Sequence, residues 1–155
     1  MPFQIHPLAA DQFSNLLDLS DAELAAMDAQ RVTANNSPGF PCRVSLADAA
    51  VGEALILLNY QHIPQGSPYA ASHAIYVRQK AKQADLEVGY VPDVLAHRLL
   101  SVRGFDGQMM MQDADVVAGH DLDKTLIRLF ENPSISEVHI HNAKQGCFAA
   151  KATRA

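Results

Sequence analysis

Two histidines two residues apart, His139 and His141, alternate with Val138 and Ile140 near the end of the chain. Side chains at i and i+2 of a β-strand share a face, so this spacing turns both imidazoles one way and both aliphatic side chains into a core. Two imidazoles on one strand face can ligate a divalent transition metal such as Zn²⁺, Fe²⁺, Mn²⁺ or Cu²⁺. A pair of ligands does not make a site. A third and a fourth would have to come from His62, His73, Asp113, Asp115 or Cys147. The competing reading is an amphipathic strand whose polar side meets water, which needs no ligand.

The other candidates surround this pair. If Asn142 pairs with Cys147 across the intervening turn, the thiol falls on the Ile140 face and His141 lies opposite Phe148. A bulge at Gly146 would instead carry the thiol to the histidine face. The first register is favoured, with Cys147 a buried apolar filler, because free cysteines commonly behave as small hydrophobes. Arg43 follows Pro38 and Pro41, and a guanidinium on rigid flanks can clamp a carboxylate or phosphate; a structural ion pair is the alternative. His73 opens an apolar stretch behind Ser67, Tyr69 and Ser72, and its near-neutral pKa suits acid–base catalysis as well as a structural role.

Asn59 and Tyr60 close the most apolar stretch and could orient a ligand, although alternation puts Tyr60 with His62 and Asn59 with Gln61. Asp113 and Asp115 share a strand face and could hold Mg²⁺ with a phosphate, a weak signal against two solvated acids. The sulfurs of Met109, Met110 and Met111 alternate faces, which suits packing better than copper. The chain has no Gly-x-Ser-x-Gly elbow and no glycine-rich phosphate loop.

The elements that must position these groups are short. Phe3-Gln4-Ile5, Arg31-Val32-Thr33-Ala34 and Cys42-Arg43-Val44-Ser45-Leu46 alternate as strands do. Residues 54–62 form the strongest strand, residues 73–78 another, and the histidine stretch and a segment from Cys147 close the chain. Helices are expected over residues 11–19, through Leu24 and Met27 behind a Ser20/Glu23 capping box, from Pro92 through Val94, Leu95 and Leu99, and from Asp121 through Leu126 and Phe130. Asp106-Gly107 predicts a type I′ hairpin, and polar residues 79–89 a linker or lid. Strands outnumber helices without alternating with them, which predicts an α+β fold: a mixed, mostly antiparallel sheet with three to four short helices packed on it.

At 155 residues, with 48% hydrophobic and 19% charged residues, the chain predicts one globular domain, residues 1–155. Twelve basic against 17 acidic residues, with no basic run, argue against nucleic acid. No apolar run is long enough to span a bilayer and the first residues do not read as a signal peptide, so a cytoplasmic protein without a membrane partner is expected. Cys42 and Cys147 suggest no disulfide framework.

Longer motifs carry a resemblance. Pro38-Gly39-Phe40-Pro41-Cys42-Arg43-Val44-Ser45-Leu46, Leu57-Leu58-Asn59-Tyr60 with His62, and Ser67-Pro68-Tyr69 followed by Ser72-His73-Ala74-Ile75 resemble a bacterial family catalogued as domain of unknown function 1203. Asp113-Ala114-Asp115-Val116-Val117 and His139-Ile140-His141-Asn142-Ala143 with Gly146-Cys147 are similar to it as well. The resemblance implies a compact bacterial domain and no particular activity, cofactor or catalytic residue. Two functional readings remain. In the leading one, Arg43, Asn59 and Tyr60 bind an anionic small molecule, and His73, His139 and His141 supply catalysis or, through His139 and His141, a divalent transition metal. In the other, the same motifs are structural parts of a non-catalytic interaction module that could form a homodimer.

Overall fold

A computed structural model describes residues 2–155 and contains two antiparallel sheets where one mixed sheet is expected. The first has the order β1-β8-β7-β5-β6, built from β1 (Phe3–His6), β5 (Leu99–Phe105), β6 (Met111–Ala118), β7 (Glu137–Asn142) and β8 (Phe148–Arg154). The second has the order β2-β3-β4, from β2 (Gln30–Thr33), β3 (Ala54–Ile63) and β4 (Ala71–Arg78). All the named strand pairs are antiparallel. Among the described residues, three α-helices complete the fold: α1 (Asp21–Ala25), α2 (Asp93–Ala96) and α3 (Leu122–Phe130). None is long and apolar enough to cross a membrane.

Alternation explains how the five-stranded sheet divides its faces. Leu100 and Val102 of β5, with Val138 and Ile140 of β7, are fully buried against Leu122, Leu126, Leu129 and Phe130 of α3. Those four helical residues recur at the spacing of one helix face. Ser101, Arg103 and Phe105 therefore turn the other way, alongside their cross-strand partners His141, His139 and Glu137. On β3 and β4, Ile56, Leu58, Ile75 and Val77 bury a second core with Phe13, Leu16 and Leu24. Tyr60 and His73, which are cross-strand partners, continue that face toward the first sheet. Stacking of His62 on Phe148, with ring centroids 5.0 Å apart, brings the two sheets together.

Helix content is smaller than expected. Residues 11–19 form a short 3₁₀ turn at Ala10–Gln12 and successive tight turns, since Leu16 and Leu19 donate to carbonyls three residues back. The Ser20/Glu23 capping box does form, but α1 has only five residues. The segment at Cys42 makes isolated bridges in place of a strand, and Leu46 takes a positive φ of 48°. Leu99 belongs to β5 and not to α2. Asp121 precedes α3 without a side-chain cap.

The Asp106 hairpin is longer than a two-residue turn. Its carboxylate accepts from the amides of Gln108 and Met110, and the positive φ falls on Met109, at 59°. Residues 79–89 are pinned rather than free: Ala84 donates to the Val44 carbonyl, Gly89 to that of Phe3, and Gln4 to that of Leu86.

Candidate metal centre between the two sheets

Four of the seven histidines meet where the sheets face each other. β7 supplies His139 and His141, which are 2% and 0% exposed, so the histidine face is interior and not the solvated side of a strand. β4 supplies His73. β3 supplies His62, at an irregularity where Gln61 pairs with Ser72 but Ile63 already pairs with Ala71. A second irregularity in β8 opposes Phe148 to His141 while Ala150 opposes Ile140. An extra residue in a strand bends it and re-aims nearby side chains. Ring centroids of His62 lie 4.9 Å from those of His73, His139 and His141.

Hydrogen bonds constrain the tautomers of His139, His62 and His141. Glu137 Oε1 lies 2.8 Å from His139 Nε2, and that bond holds the carboxyl below the usual carboxylate range. An ionised carboxylate only accepts, so His139 donates from Nε2. In the tautomer that keeps a lone pair on His139 Nδ1, that atom accepts from His62 Nδ1 at 2.7 Å. His62 is thereby left with a bare Nε2. His141 donates from Nδ1 to the Gly146 carbonyl at 3.1 Å and keeps its own lone pair at Nε2.

The Nε2 atoms of His62, His73 and His141 are all buried without a protein partner. One ring nitrogen from each of these three residues lies within 4.8 Å of the others. Nitrogens about 2.0–2.1 Å from a tetrahedral ion stand roughly 3.3 Å apart, so small side-chain shifts suffice to close on one. His139 has both nitrogens engaged. The converging set is thus His62, His73 and His141, and the expected His139/His141 pair divides into one member of that set and one residue that orients it. Glu137, absent from the sequence-based candidates, anchors the Glu137–His139–His62 chain; it stands two residues before His139 on the same strand, so alternation alone could have placed it on the histidine face.

Burial pushes the pKa of His62 and of His141 down to about 3, with the neighbouring rings and Arg103 adding to the effect. His73 is lowered too, first by burial and then by Arg103 and Arg43. These rings are neutral at pH 7 and free to act as ligands. The unfolded chain binds more protons than the folded one below about pH 6.5, so stability is full above that pH and is lost as pH falls toward 3. Chelator-treated protein should lose about 2–3 kcal/mol between pH 7 and pH 5, allowing for screening at half-buried His62. Urea unfolding at the two pH values checks this, and His141→Asn should flatten the dependence.

The remaining sequence-based candidates fare unequally. Tyr60 lies beside Phe148, centroids 6.1 Å apart, and with His62, His139 and Glu137 lines a cavity of about 260 Å³. Asn59 is exposed on the opposite face of β3 and orients nothing at the histidines. Arg43 is engaged by the protein itself: it is 2% exposed and donates to the Phe148 carbonyl at 2.7 Å, the Pro41 carbonyl at 2.6 Å and Cys147 Sγ at 3.1 Å. Cys147 follows the favoured register yet is not an apolar filler. Its sulfur accepts from Arg43 in the wall of a cavity of about 430 Å³ that His73, Asn142 and Arg98 also line. Asp113 and Asp115 pair with Arg128 of α3, on the sheet face away from the histidines.

Neither the curated proteins nor the solved structures contain a match to this chain. A family profile, described as protein of unknown function DUF1203, matches residues 39–154, a span that includes all four clustered histidines, Glu137, Arg103 and Arg43. The chain therefore belongs to the DUF1203 family.

Proposed function

We propose that this protein binds one divalent transition metal through His62, His73 and His141 and uses the remaining coordination position to act on a small anionic molecule. One observation carries the reading: His62, His73 and His141 each have a buried Nε2 without a protein partner and each bring a ring nitrogen within 4.8 Å of the others, and hydrogen bonds elsewhere leave lone pairs on two of the three Nε2 atoms. Leaving a buried polar atom unmatched costs about 1–3 kcal/mol, and three such atoms in one place need a reason. A metal supplies it. The Glu137–His139–His62 chain is the outer-sphere arrangement that orients ligating imidazoles and raises their basicity. Three nitrogen ligands with an open position are typical of catalytic zinc sites, and imidazole also suits iron, copper and nickel. Such an ion acidifies a bound water toward neutrality and polarises a substrate oxygen. The cavities beside His73 and beside His62 provide access from two sides, which favours a small-molecule site over a purely structural cluster.

The test is metal titration of untagged, chelator-stripped protein with zinc, iron(II), manganese and copper, read by elemental analysis and thermal melting. About one equivalent per chain with a raised melting temperature is expected. No uptake of any of them, with no melting shift, overturns the reading. Within it, Glu137→Gln should keep the stoichiometry and weaken affinity about ten- to a hundredfold, measured by chelator competition.

A further inference from the structure

Among the described residues, one cation on the histidine face is uncommitted. Arg103 sits mid-strand on β5, with His139 as its cross-strand partner and Ser101, the partner of His141, on the same face. Its neighbours Val102 and Gly104 are buried on the helix-facing side, so the arginine side chain belongs to the histidine side of the sheet. It is half-buried and has neither a hydrogen bond nor an ion pair among the described residues. The other arginines nearby are occupied: Arg43 by two carbonyls and a sulfur, Arg98 by Asp48. The positive charge of Arg103 reaches His141, His73 and His62, each of which is harder to protonate because of it.

Charge balance gives this arginine a purpose. Glu137 is the one carboxylate bonded to the cluster among the described residues, and Lys151 already stands 3.8 Å from its second oxygen. Arg43 and Arg103 bring two further positive charges, and three imidazoles leave a divalent ion uncompensated. A partly buried cluster with this excess favours an anion that can meet a planar guanidinium fork and a metal together.

We infer that Arg103 is the anion anchor of the site and that the ligand is a small molecule presenting a carboxylate or phosphate to Arg103 beside an oxygen that reaches the metal. The metal half of this assignment rests on the function proposed above; the anion half does not. Arg103 is the specificity-determining residue, and His62, His73 and His141 are the metal ligands.

The experiment uses cobalt(II)-loaded protein titrated separately with oxalate and with inorganic phosphate, followed by the visible absorption of the cobalt. In the wild type, at least one anion should shift the spectrum saturably, and the tighter of the two identifies the class. Arg103→Gln should keep one equivalent of cobalt and bind that anion at least about tenfold more weakly, with Arg103→Lys intermediate because it keeps the charge without the fork. Equal affinity in Arg103→Gln, or no response from cobalt-loaded wild type, overturns the assignment. If Arg103→Gln does not fold, Arg103→Lys alone decides between weakened and unchanged affinity. If the wild type takes up no metal, the metal reading fails by itself. Calorimetry of the same anions with metal-free protein then decides: binding lost in Arg103→Gln sustains the anchor, and absent or unchanged binding rejects it.

Discussion

Arg43→Ala is expected to destabilise the protein by about 3–5 kcal/mol, from the lost charge-assisted hydrogen bonds, the orphaned acceptors and the cavity left behind. The guanidinium joins parts of the chain far apart in sequence, tying its own segment to the Phe148 carbonyl and to Cys147 Sγ. It also closes the loop at the Pro41 carbonyl. Its burial works against it: desolvation lowers the arginine pKa, which Cys147 beside it partly offsets. Arg43→Met keeps much of the volume and removes the desolvation cost, so it should lose less than alanine. Arg43→Lys keeps the charge but cannot serve three acceptors with one ammonium. Urea denaturation ranks the three variants; an alanine loss under about 1 kcal/mol would show that the guanidinium does not hold this seam.

The second large effect is a contrast between neighbouring histidines. Structural zinc contributes roughly 10–16 kcal/mol over four ligands, about 3 kcal/mol each, so His141→Ala should weaken metal binding roughly a hundred- to a thousandfold. His139→Ala removes only the residue that orients His62 and should cost about ten- to a hundredfold, with one equivalent still bound. Chelator competition at fixed pH measures both. If His139→Ala abolishes binding and His141→Ala does not, the ligand set is wrong. A drop in melting temperature common to both variants, without any difference in affinity, would mark the cluster as structural.

Much of this was legible in the residues. Period-two alternation located β1, β2 and β7, the apolar run in residues 54–62 located β3, the strands read at residues 73–78 and from Cys147 match β4 and β8, and the spacing of Leu122, Leu126, Leu129 and Phe130 located α3. The pattern misled where local turns can satisfy it. Phe13, Leu16 and Leu17 have helical spacing, but consecutive i to i+3 turns bury Phe13 and Leu16 and partly bury Leu17. Cys42, Val44 and Leu46 alternate and are all buried, yet a tight loop carries them.

The site was half visible. His139 and His141 drew notice through their spacing, and His62 and His73 stood among the possible further ligands. Which of the four converge depends on the docking of two sheets and on the irregularities at His62 and in β8, for which alternation leaves no trace. Arg103 lies between Val102 and Gly104 with no motif around it, and only register against β7 gives it a role.

Because His62 and His73 come from one sheet and His141 from another that shares no strand with it, the three-histidine set exists only while the sheets stay together. A bound ion would then act as a clasp across a long stretch of chain. It would slow any opening that separates the three-stranded sheet, and amide exchange in β3 and β4 would report that opening directly. Occupancy of the site and integrity of the seam become the same equilibrium, so a cell that starves this protein of metal would also loosen its architecture.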